Sequence, residues 1–337
     1  MMNVYGASSL TDIELLDLGS SCCGTGRVFT FRVVLASGER ASSSSFWFRN
    51  DESLTRAVAP VAARALAAQS LHHQRTTEVA FTGTQAVLAA HLESAWLFAV
   101  AAERGVPLRV LLGSRSRNKV KFYVSLLTAD VIDDHAASAK ISAGCSLVKI
   151  SYGAKLTSST PFAVDCHGTA SYQEALDRYG RMSGLSWVEE PRDADEVGDP
   201  CVPIVTGEFV TDWERELDSP RTQSSTTRWR QLEPARCGVL QAHSAAKTLT
   251  RAGAPVLFHG HQPYVAAHLA AATSGVTYVE INAAWMLDRF RTAWCRGISL
   301  SAAIHDLCDA LDRRGGGPAV DMGDGSAAEV VFTASKQ

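Results

Sequence analysis

The sequence predicts an α/β fold in which a closed barrel of parallel strands follows a smaller α+β unit. From Val120 onward, short apolar runs of β type alternate with helical stretches, a pattern typical of a parallel sheet. Four such runs between Ser146 and Glu208 each carry a charged residue at or near their end. In a parallel barrel the C-terminal ends of all strands lie on one face, so these charged side chains can meet at one site.

The first part of the chain predicts a small antiparallel sheet and two helices. Residues 10–50 show strand alternation interrupted by turn residues. Helices are expected over Thr55–Gln69 and Leu88–Arg104, and the second ends at the stop signal of residues 105–107. We therefore expect an α+β domain over residues 1–116.

The part that follows, residues 117–312, contains eight candidate strands, the number that a closed barrel needs. Helices between them are indicated by a capping box at Ser171–Glu174 and by glycines that end two later helices. The predicted strands are Val120–Ser125, Leu147–Ser151, Phe162–Asp165, Ser186–Glu189, Pro203–Gly207, Trp229–Glu233, Val256–Phe258 and Thr277–Glu280.

Two connections are short for a parallel barrel. Between Ser151 and Phe162 the chain is shorter than the dozen or more residues, usually with a helix, that a parallel crossover needs. Either that helix is missing and the barrel is locally open, or the strand assignment is wrong. The link from Pro191 to Val202 is also short. Residues 313–337 contain glycine turns and one more strand, which we expect to return to the first domain.

Composition excludes several classes of protein. The chain has 337 residues and a formal net charge of −3, and no patch of Lys and Arg alternates with aromatic residues, so no nucleic-acid partner is expected. Neither a signal peptide nor a run of about 18 apolar residues is evident, so no membrane span is expected. The eight cysteines are scattered, which favours reduced thiols in a cytoplasmic protein over a disulfide framework or a zinc site.

Three carboxylates at strand ends suggest a metal site. Asp165, Glu208 and one of Glu189 and Glu190 would repel one another at the barrel mouth unless a cation lay between them. A hard divalent ion with oxygen ligands, Mg²⁺ before Ca²⁺, satisfies that requirement. Adjacent strand residues point to opposite faces, so only one of the two neighbouring glutamates can face the mouth. Taken singly, each carboxylate could instead be a helix cap or a surface ion-pair partner.

Several motifs occur in a characteristic order along the chain. LESAWLFAVAAERGVPLRVLLG spans residues 92–113 and is followed by VKIS, VDCHG, VEEP, TGE, RCGVLQA, APVLFHGH and YVEI. In this order the motifs resemble the enolase superfamily, in its mandelate racemase branch. The resemblance implies a modified TIM barrel of the (β/α)7β type with an N-terminal α+β capping domain. It also implies a homo-oligomer that acts on a small-molecule carboxylate.

The resemblance assigns roles to the charged residues at the strand ends. Asp165, Glu189 and Glu208 match the three Mg²⁺ ligands of the superfamily. Glu280 matches an acid that hydrogen-bonds the substrate carboxylate, and Lys149 would add positive charge beside that carboxylate.

The resemblance also implies a general base. His259 matches the base on the seventh barrel strand, and Glu233 stands where the family has the aspartate that pairs with this histidine. Glu233 is one methylene longer than aspartate, which would shift the base unless the strand retreats. His261, two residues further on, is the rival for the same role.

Two details favour elimination over racemisation. Racemases of this branch carry a second lysine base on the second strand, but here the motif is Lys149-Ile150-Ser151. The third strand ends in Asp165-Cys166-His167-Gly168, similar to galactonate-type sugar-acid dehydratases, in which the histidine is a general acid. A polar loop residue is the alternative interpretation of His167.

The sequence therefore predicts a Mg²⁺-dependent lyase. The enzyme would abstract the proton α to the carboxylate of an acid sugar and eliminate the β-hydroxyl to give a 2-keto-3-deoxy acid. A racemase, epimerase or cycloisomerase that uses the same enolate is one alternative. A diverged, non-catalytic barrel that serves in binding is another.

Overall fold

The computed structural model of the chain describes most of its residues. The described stretches are 9–20, 27–43, 46–48, 51–67, 83–114, 119–126, 131–132, 144–156, 160–218, 226–282, 300–318 and 329–335.

The N-terminal part folds into the predicted antiparallel sheet. Strand β1 (Leu10–Ser20) pairs with β2 (Arg27–Leu35), and β2 also pairs with β3 (Arg40–Ser42) and β4 (Phe46–Phe48). On its other side β1 pairs antiparallel with β15 (Glu329–Ser335), the last strand of the chain. The C-terminal strand thus returns to the first part of the chain, as predicted.

Three described helices follow the sheet. They are α1 (Asp51–Ala67), α2 (Thr84–Glu103) and the single turn α3 (Leu108–Leu111). The first two correspond to the two helices expected from the sequence and begin four residues earlier than expected in each case.

Helix α2 is apolar on all sides and lies inside the protein. By length and composition alone it could cross a membrane, which the sequence analysis did not anticipate, but 83% of its most apolar stretch is buried. A helix that is hydrophobic all round is expected in the core of a large protein. Its buried Glu93 accepts a hydrogen bond from the Val239 backbone N–H at 2.7 Å. That N–H begins a barrel helix whose N-cap is Gly238, so Glu93 supplies the capping oxygen that glycine lacks.

Eight parallel strands close into a barrel, and all eight predicted strands are present. Their ends differ from the predicted ends by at most two residues. Around the barrel the order is β10-β11-β12-β13-β14-β5-β7-β9, and β9 pairs with β10 to close it. The barrel strands are β5 (Phe122–Ser125), β7 (Cys145–Ser151), β9 (Phe162–Asp165), β10 (Leu185–Glu189), β11 (Ile204–Thr206), β12 (Arg228–Leu232), β13 (Val256–Phe258) and β14 (Val276–Asn282).

The barrel is closed at the short connection after Ser151. Strand β7 pairs in parallel with β9, with Ser151 opposite Asp165. The described residues of the link, 152–156 and 160–161, form no helix; they contain β8 (Lys155–Leu156), which pairs with β6 (Val131–Ile132). The strand assignment is therefore right, and the alternative of an open barrel is wrong.

A tyrosine from the next helix anchors this short link. The Tyr179 hydroxyl accepts a hydrogen bond from the Gly153 N–H at 3.0 Å and donates one to the Ala154 carbonyl at 2.8 Å. Tyr179 ends α4 (Tyr172–Tyr179), which opens at the predicted capping box. Two backbone groups of the link are thus hydrogen-bonded to the following helix, although the link forms no helix of its own.

The other described helices lie outside the barrel strands. They are α5 (Trp213–Leu217), α6 (Pro234–Cys237), α7 (Val239–Arg251), α8 (Pro263–Ala272) and α9 (Leu300–Ala310). None of the five described cysteines, at positions 145, 166, 201, 237 and 308, forms a disulfide; Cys22, Cys23 and Cys295 lie outside the described residues.

His268 links the C-terminal segment to the barrel through hydrogen bonds. This fully buried residue of α8 accepts a hydrogen bond at Nδ1 from the Arg109 N–H, at 3.2 Å. Its Nε2 donates to the Gly316 carbonyl at 3.1 Å, and its ring meets the edge of Phe98. These contacts require the neutral ring with its proton on Nε2.

We expect the free energy of unfolding to depend on pH through His268. Burial lowers the pKa of His268 from 6.5 to about 4, so the unfolded chain binds a proton in this range more readily than the folded chain does. The contribution to stability is complete above pH 6.5 and is lost as the pH falls towards 4, by about 3 kcal/mol. Urea unfolding of the wild type and His268→Gln between pH 7 and pH 4 measures it. Equal pH dependence in the two proteins would contradict the assignment.

Candidate active site

The interior of the barrel is built in two layers. Alternate residues of a strand face the same side, so a charged residue at a strand end can lie two positions after a residue of the layer below. Lys149, Asp165 and Glu189 follow Leu147, Ala163 and Trp187 in this way. The lower layer is a cluster of Tyr123, Leu147, Ala163, Trp187, Val205 and Leu257, with Trp229 and Tyr278 packed against it.

Lys149 lies among three carboxylates in the fully buried part of the site. Its Nζ is 3.1 Å from Asp165 Oδ2 and 3.2 Å from Glu280 Oε1, and it also contacts Glu189. Burial alone would lower the pKa of Lys149, but the charges of Glu189 and Glu280 outweigh burial and hold the pKa well above 10.5. Lys149 is therefore a permanent cation at the centre of the mouth.

The carboxylates around Lys149 still outnumber it. Burial raises the pKa of Glu189 well above 4.5, Asp165 and Glu280 raise it further, and Lys149 opposes the increase. The indole N–H of Trp187 donates to Glu189 at 3.1 Å and fixes its orientation. A second positive charge would relieve this crowding.

Glu189 and Glu190 face different ways, as strand alternation requires. Glu189 is the one inside the barrel, whereas Glu190 accepts hydrogen bonds from the backbone N–H groups of Gly207 at 2.7 Å and Glu208 at 3.3 Å. Gly207 has φ 119°, and a Cβ there would lie 2.8 Å from the Gln231 carbonyl oxygen. Glycine is therefore needed for the turn that presents Glu208.

Glu208 lies beside the imidazole of His259. Its Oε2 is 3.0 Å from His259 Nε2, and Glu280 Oε2 lies 3.6 Å from the same nitrogen. Burial would raise the pKa of Glu208, but the hydrogen bond and charge of His259 lower it to about 2. Glu208 is accordingly ionised at any physiological pH.

Glu233 contacts two histidines through one oxygen. Its Oε2 touches His259 Nδ1 and lies 2.9 Å from His261 Nδ1, while Oε1 accepts a hydrogen bond from the Ala235 N–H at 2.7 Å. That N–H belongs to the first turn of α6, for which Glu233 is the N-cap. The Glu233 side chain, which is longer than that of aspartate, thus both caps α6 and contacts the two histidines. His259 is buried, whereas the His261 side chain is 43% exposed.

The charge around His259 favours its protonated form. Burial would lower the pKa of His259, but Glu280 and Glu233, with Glu208, raise it well above 6.5. The pKa of Glu233 is held well below 4.5, since the two histidines outweigh its burial.

His167 lies on the other side of the mouth. It has a left-handed backbone, with φ 46°, and its N–H donates to Asp165 Oδ1 at 2.9 Å. Its ring Nδ1 is 3.2 Å from the same oxygen, and 41% of the side chain is exposed. His167 lines a cavity of about 580 Å³ together with Glu190 and Trp213, and neither the predicted Mg²⁺ ligands nor His259 line that cavity. Strands β9 and β13 are four steps apart in both directions around the barrel. The strand ends that His167 and His259 follow therefore lie opposite each other in the barrel.

The sequence analysis missed two residues of the site. The Tyr123 hydroxyl donates to Glu280 Oε2 at 3.0 Å and receives a hydrogen bond from Gln231 Nε2 at 3.2 Å. Burial, and then the charge of Glu280, raises the pKa of Tyr123 well above 10, so the hydroxyl remains a donor. The sequence did contain a signal for Gln231. It lies two residues before Glu233, so the two side chains face the same side of the strand.

The three predicted Mg²⁺ ligands come from neighbouring strand ends but do not share one partner. Asp165 and Glu189 both lie at Lys149, whereas Glu208 lies at His259. Asp165 Oδ2 is buried and accepts no hydrogen bond, although it is close to the ammonium group of Lys149. An oxygen of this kind is available to a cation.

Comparison with known proteins identifies the fold. Residues 153–295 match the family model described as "Enolase C-terminal domain-like". No curated protein matches the chain in sequence. An enolase from Bradyrhizobium, solved with magnesium and mandelic acid, is 17% identical, with a TM-score of 0.62 over 83% of this chain and 89% of its own.

Two further solved structures are similar at the same level. A mandelate racemase/muconate lactonizing enzyme-like protein from Rubrobacter xylanophilus is 18% identical, with a TM-score of 0.64 over 84% of this chain and 90% of its own. A candidate dehydratase from Mesorhizobium loti is 12% identical, with a TM-score of 0.64 over 83% of this chain and 88% of its own. Identities this low show a shared fold. The match to the family model covers residues 153–295, so this part of the chain is similar in sequence to the enolase C-terminal domain.

Proposed function

We propose that this protein is a Mg²⁺-dependent acid-sugar dehydratase. The observation that supports the proposal most is that His167 and His259 follow barrel strands that lie opposite each other. His259 has a carboxylate partner, as a general base requires, and His167 is partly exposed beside Asp165. Ser151 occupies the position at which a racemase would carry a second lysine base. One base and one acid suit elimination better than inversion.

The residues at the mouth suit Mg²⁺. Asp165, Glu189 and Glu208 offer only oxygen atoms, which hard divalent cations prefer. Burial, and then the charges of Asp165 and Glu280, raise the pKa of Glu189, and Asp165 Oδ2 accepts no hydrogen bond. When bound, Mg²⁺ would supply positive charge against the negative charge that develops on the substrate carboxylate. The Mg²⁺ bound by the Bradyrhizobium enolase supports this choice.

The side chains of this protein then have distinct tasks. His259 Nε2 would take the α proton, while Glu233 holds Nδ1 and fixes the ring orientation. Lys149 would bind and stabilise the substrate carboxylate as electrons move onto it, and Glu280, oriented by Tyr123, would hydrogen-bond that carboxylate once it carries a proton.

His167 would complete the elimination. It donates a proton to the β-hydroxyl, the C–O bond breaks, and water leaves. The electron pair of the former C–H bond becomes the new double bond, and the resulting enol tautomerises to a 2-keto-3-deoxy acid.

His259 must be neutral to act as the base. The charges of Glu280, Glu233 and Glu208 favour the imidazolium form of His259. Neutralisation of Glu208 by a bound cation, together with engagement of Glu280 by substrate, would lower the pKa of His259 towards its ordinary range. Binding would thus prepare the base for proton transfer.

The test is proton NMR in deuterated water with Mg²⁺ and a panel of aldonic and aldaric acids. Loss of the α-proton signal with appearance of a 2-keto-3-deoxy product is the expected result. Exchange without elimination would replace the proposal with an epimerase, racemase or cycloisomerase. Absence of exchange with every acid of the panel, in protein that binds Mg²⁺, would favour a non-catalytic barrel.

The variant His167→Asn separates the two proton transfers. We expect it to form product about 10²–10⁴-fold more slowly, the usual contribution of a general acid, while α-proton exchange continues. The same NMR experiment measures both rates, and His305→Asn, at an exposed helix position, is the matched control. Product formation at the wild-type rate would return His167 to the status of a polar loop residue.

A further inference from the structure

A second group of possible metal ligands lies next to the carboxylate cluster. Among the described residues, Glu233, His259 and His261 each offer one ligand atom, and these three atoms lie within 4.8 Å of one another. The group contains two imidazoles and one carboxylate, which is a different chemistry from the oxygen-only cluster around Asp165 and Glu189.

The contacts within this group resemble those of a metal chelate. His259 Nδ1 and His261 Nδ1 both converge on Glu233 Oε2, and the two rings are 4.4 Å apart between centroids. Ligand atoms held about 2.0–2.1 Å from a tetrahedral zinc ion are about 3.3 Å from one another. Both imidazole nitrogens lie closer than this to Glu233 Oε2, so the carboxylate oxygen must move outward to admit an ion.

The surroundings hold the group in place. Glu233 is fully buried, and its second oxygen is fixed by the Ala235 N–H, the kind of outer contact that orients metal ligands. Gly260 brings the two histidines onto one turn; a Cβ there would lie 3.0 Å from the Glu280 carbonyl oxygen. His261 is partly exposed, so an ion could enter from solvent and keep a water ligand.

We propose that Glu233, His259 and His261 form a Zn²⁺ site that is separate from the Mg²⁺ site and switches off the general base. Imidazole suits Zn²⁺, whereas Mg²⁺ requires oxygen ligands. With Nδ1 of His259 on the ion, the neutral ring carries its proton on Nε2. That nitrogen then has no free lone pair with which to accept the α proton. The proposed zinc binding does not depend on the proposed function. The proposed inhibition rests on the proposed function.

Zinc affinity of the full-length protein tests the site directly. Competition with a fluorescent zinc chelator, at pH 7 and with Mg²⁺ in excess, should give one Zn²⁺ per chain. Loss of one ligand in His261→Asn should weaken binding by at least the 10- to 100-fold that loss of an outer partner alone costs. His305→Asn, which removes an exposed histidine elsewhere, should bind Zn²⁺ like the wild type.

Two outcomes would overturn the zinc site. One is equal zinc affinity in His261→Asn and the wild type. The other is loss of Zn²⁺ from Asp165→Asn but not from His261→Asn, which would place the ion in the carboxylate cluster. Co²⁺ gives an independent measurement, since visible absorption typical of nitrogen-ligated, four-coordinate cobalt should appear in the wild type and not in His261→Asn.

The inhibition is tested by the exchange experiment. Zn²⁺ should stop α-proton exchange in the wild type and should do so only at much higher concentration in His261→Asn. Equal inhibition of both proteins would overturn the switch. If no acid exchanges at all, the proposed function fails, while the affinity and cobalt measurements still decide whether zinc binds.

Discussion

His259→Asn is expected to lower both α-proton exchange and turnover by about 10²–10⁴-fold, the range over which a positioned general base contributes. His259 Nε2 is the imidazole nitrogen that lies between Glu208 and Glu280, where the substrate carboxylate would bind. Asparagine keeps an N–H that can reach Glu233 and does not leave that buried carboxylate without a donor. The loss should therefore be one of proton transfer and not of folding.

Two measurements complete the test of His259. Urea unfolding and Mg²⁺ binding of His259→Asn should stay close to the wild-type values, and His305→Asn should retain full activity. Exchange at an undiminished rate in His259→Asn would contradict the assignment. The base would then be sought at His261, which contacts the same oxygen of Glu233.

The fold was predictable because the strands of a parallel barrel have strong local signals. Runs such as Phe162–Asp165 and Val256–Phe258 are short, apolar and bounded by turn residues, and the structure has them at the predicted positions. Closure after Ser151 was not predictable, because the helix expected there is replaced by hydrogen bonds to Tyr179 from the following helix. A contact between residues that are far apart along the chain leaves no local pattern in the sequence.

The sequence predicted which charged residues meet at the barrel mouth, but it did not predict their contacts. Charged residues at strand ends mark the mouth of a barrel, which is why Asp165, Glu189 and Glu208 could be named. Their partners depend on side-chain reach across the barrel: Lys149 extends to three carboxylates, and Glu233 is long enough to contact His261 as well as His259. Distances of that kind follow from the closed barrel and not from spacing along the chain.

We expect Lys149 to stabilise the three carboxylates of the mouth when no metal ion is bound. In Lys149→Met the stem of the side chain is retained but the charge is lost, which leaves Asp165, Glu189 and Glu280 buried without their shared cation. Removal of one partner of a buried ion pair costs about 3–5 kcal/mol, since the remaining charges are uncompensated. We expect a loss of that size in the free energy of unfolding, measured with urea in chelator-treated protein. Lys155→Met, at an exposed position, should change it little.

The response of Lys149→Met to pH and to Mg²⁺ shows whether charge is the cause. The folded-state pKa of Glu189 is already raised, and loss of Lys149, which opposes that increase, would raise it further. The variant should therefore lose stability as the pH rises through this pKa and regain it as the pH falls, because protonation removes the repulsion. Mg²⁺ should recover part of the loss by binding the folded state. A penalty unchanged by both pH and Mg²⁺ would mean that Lys149 acts through packing, and the carboxylates would then have no need of a second cation.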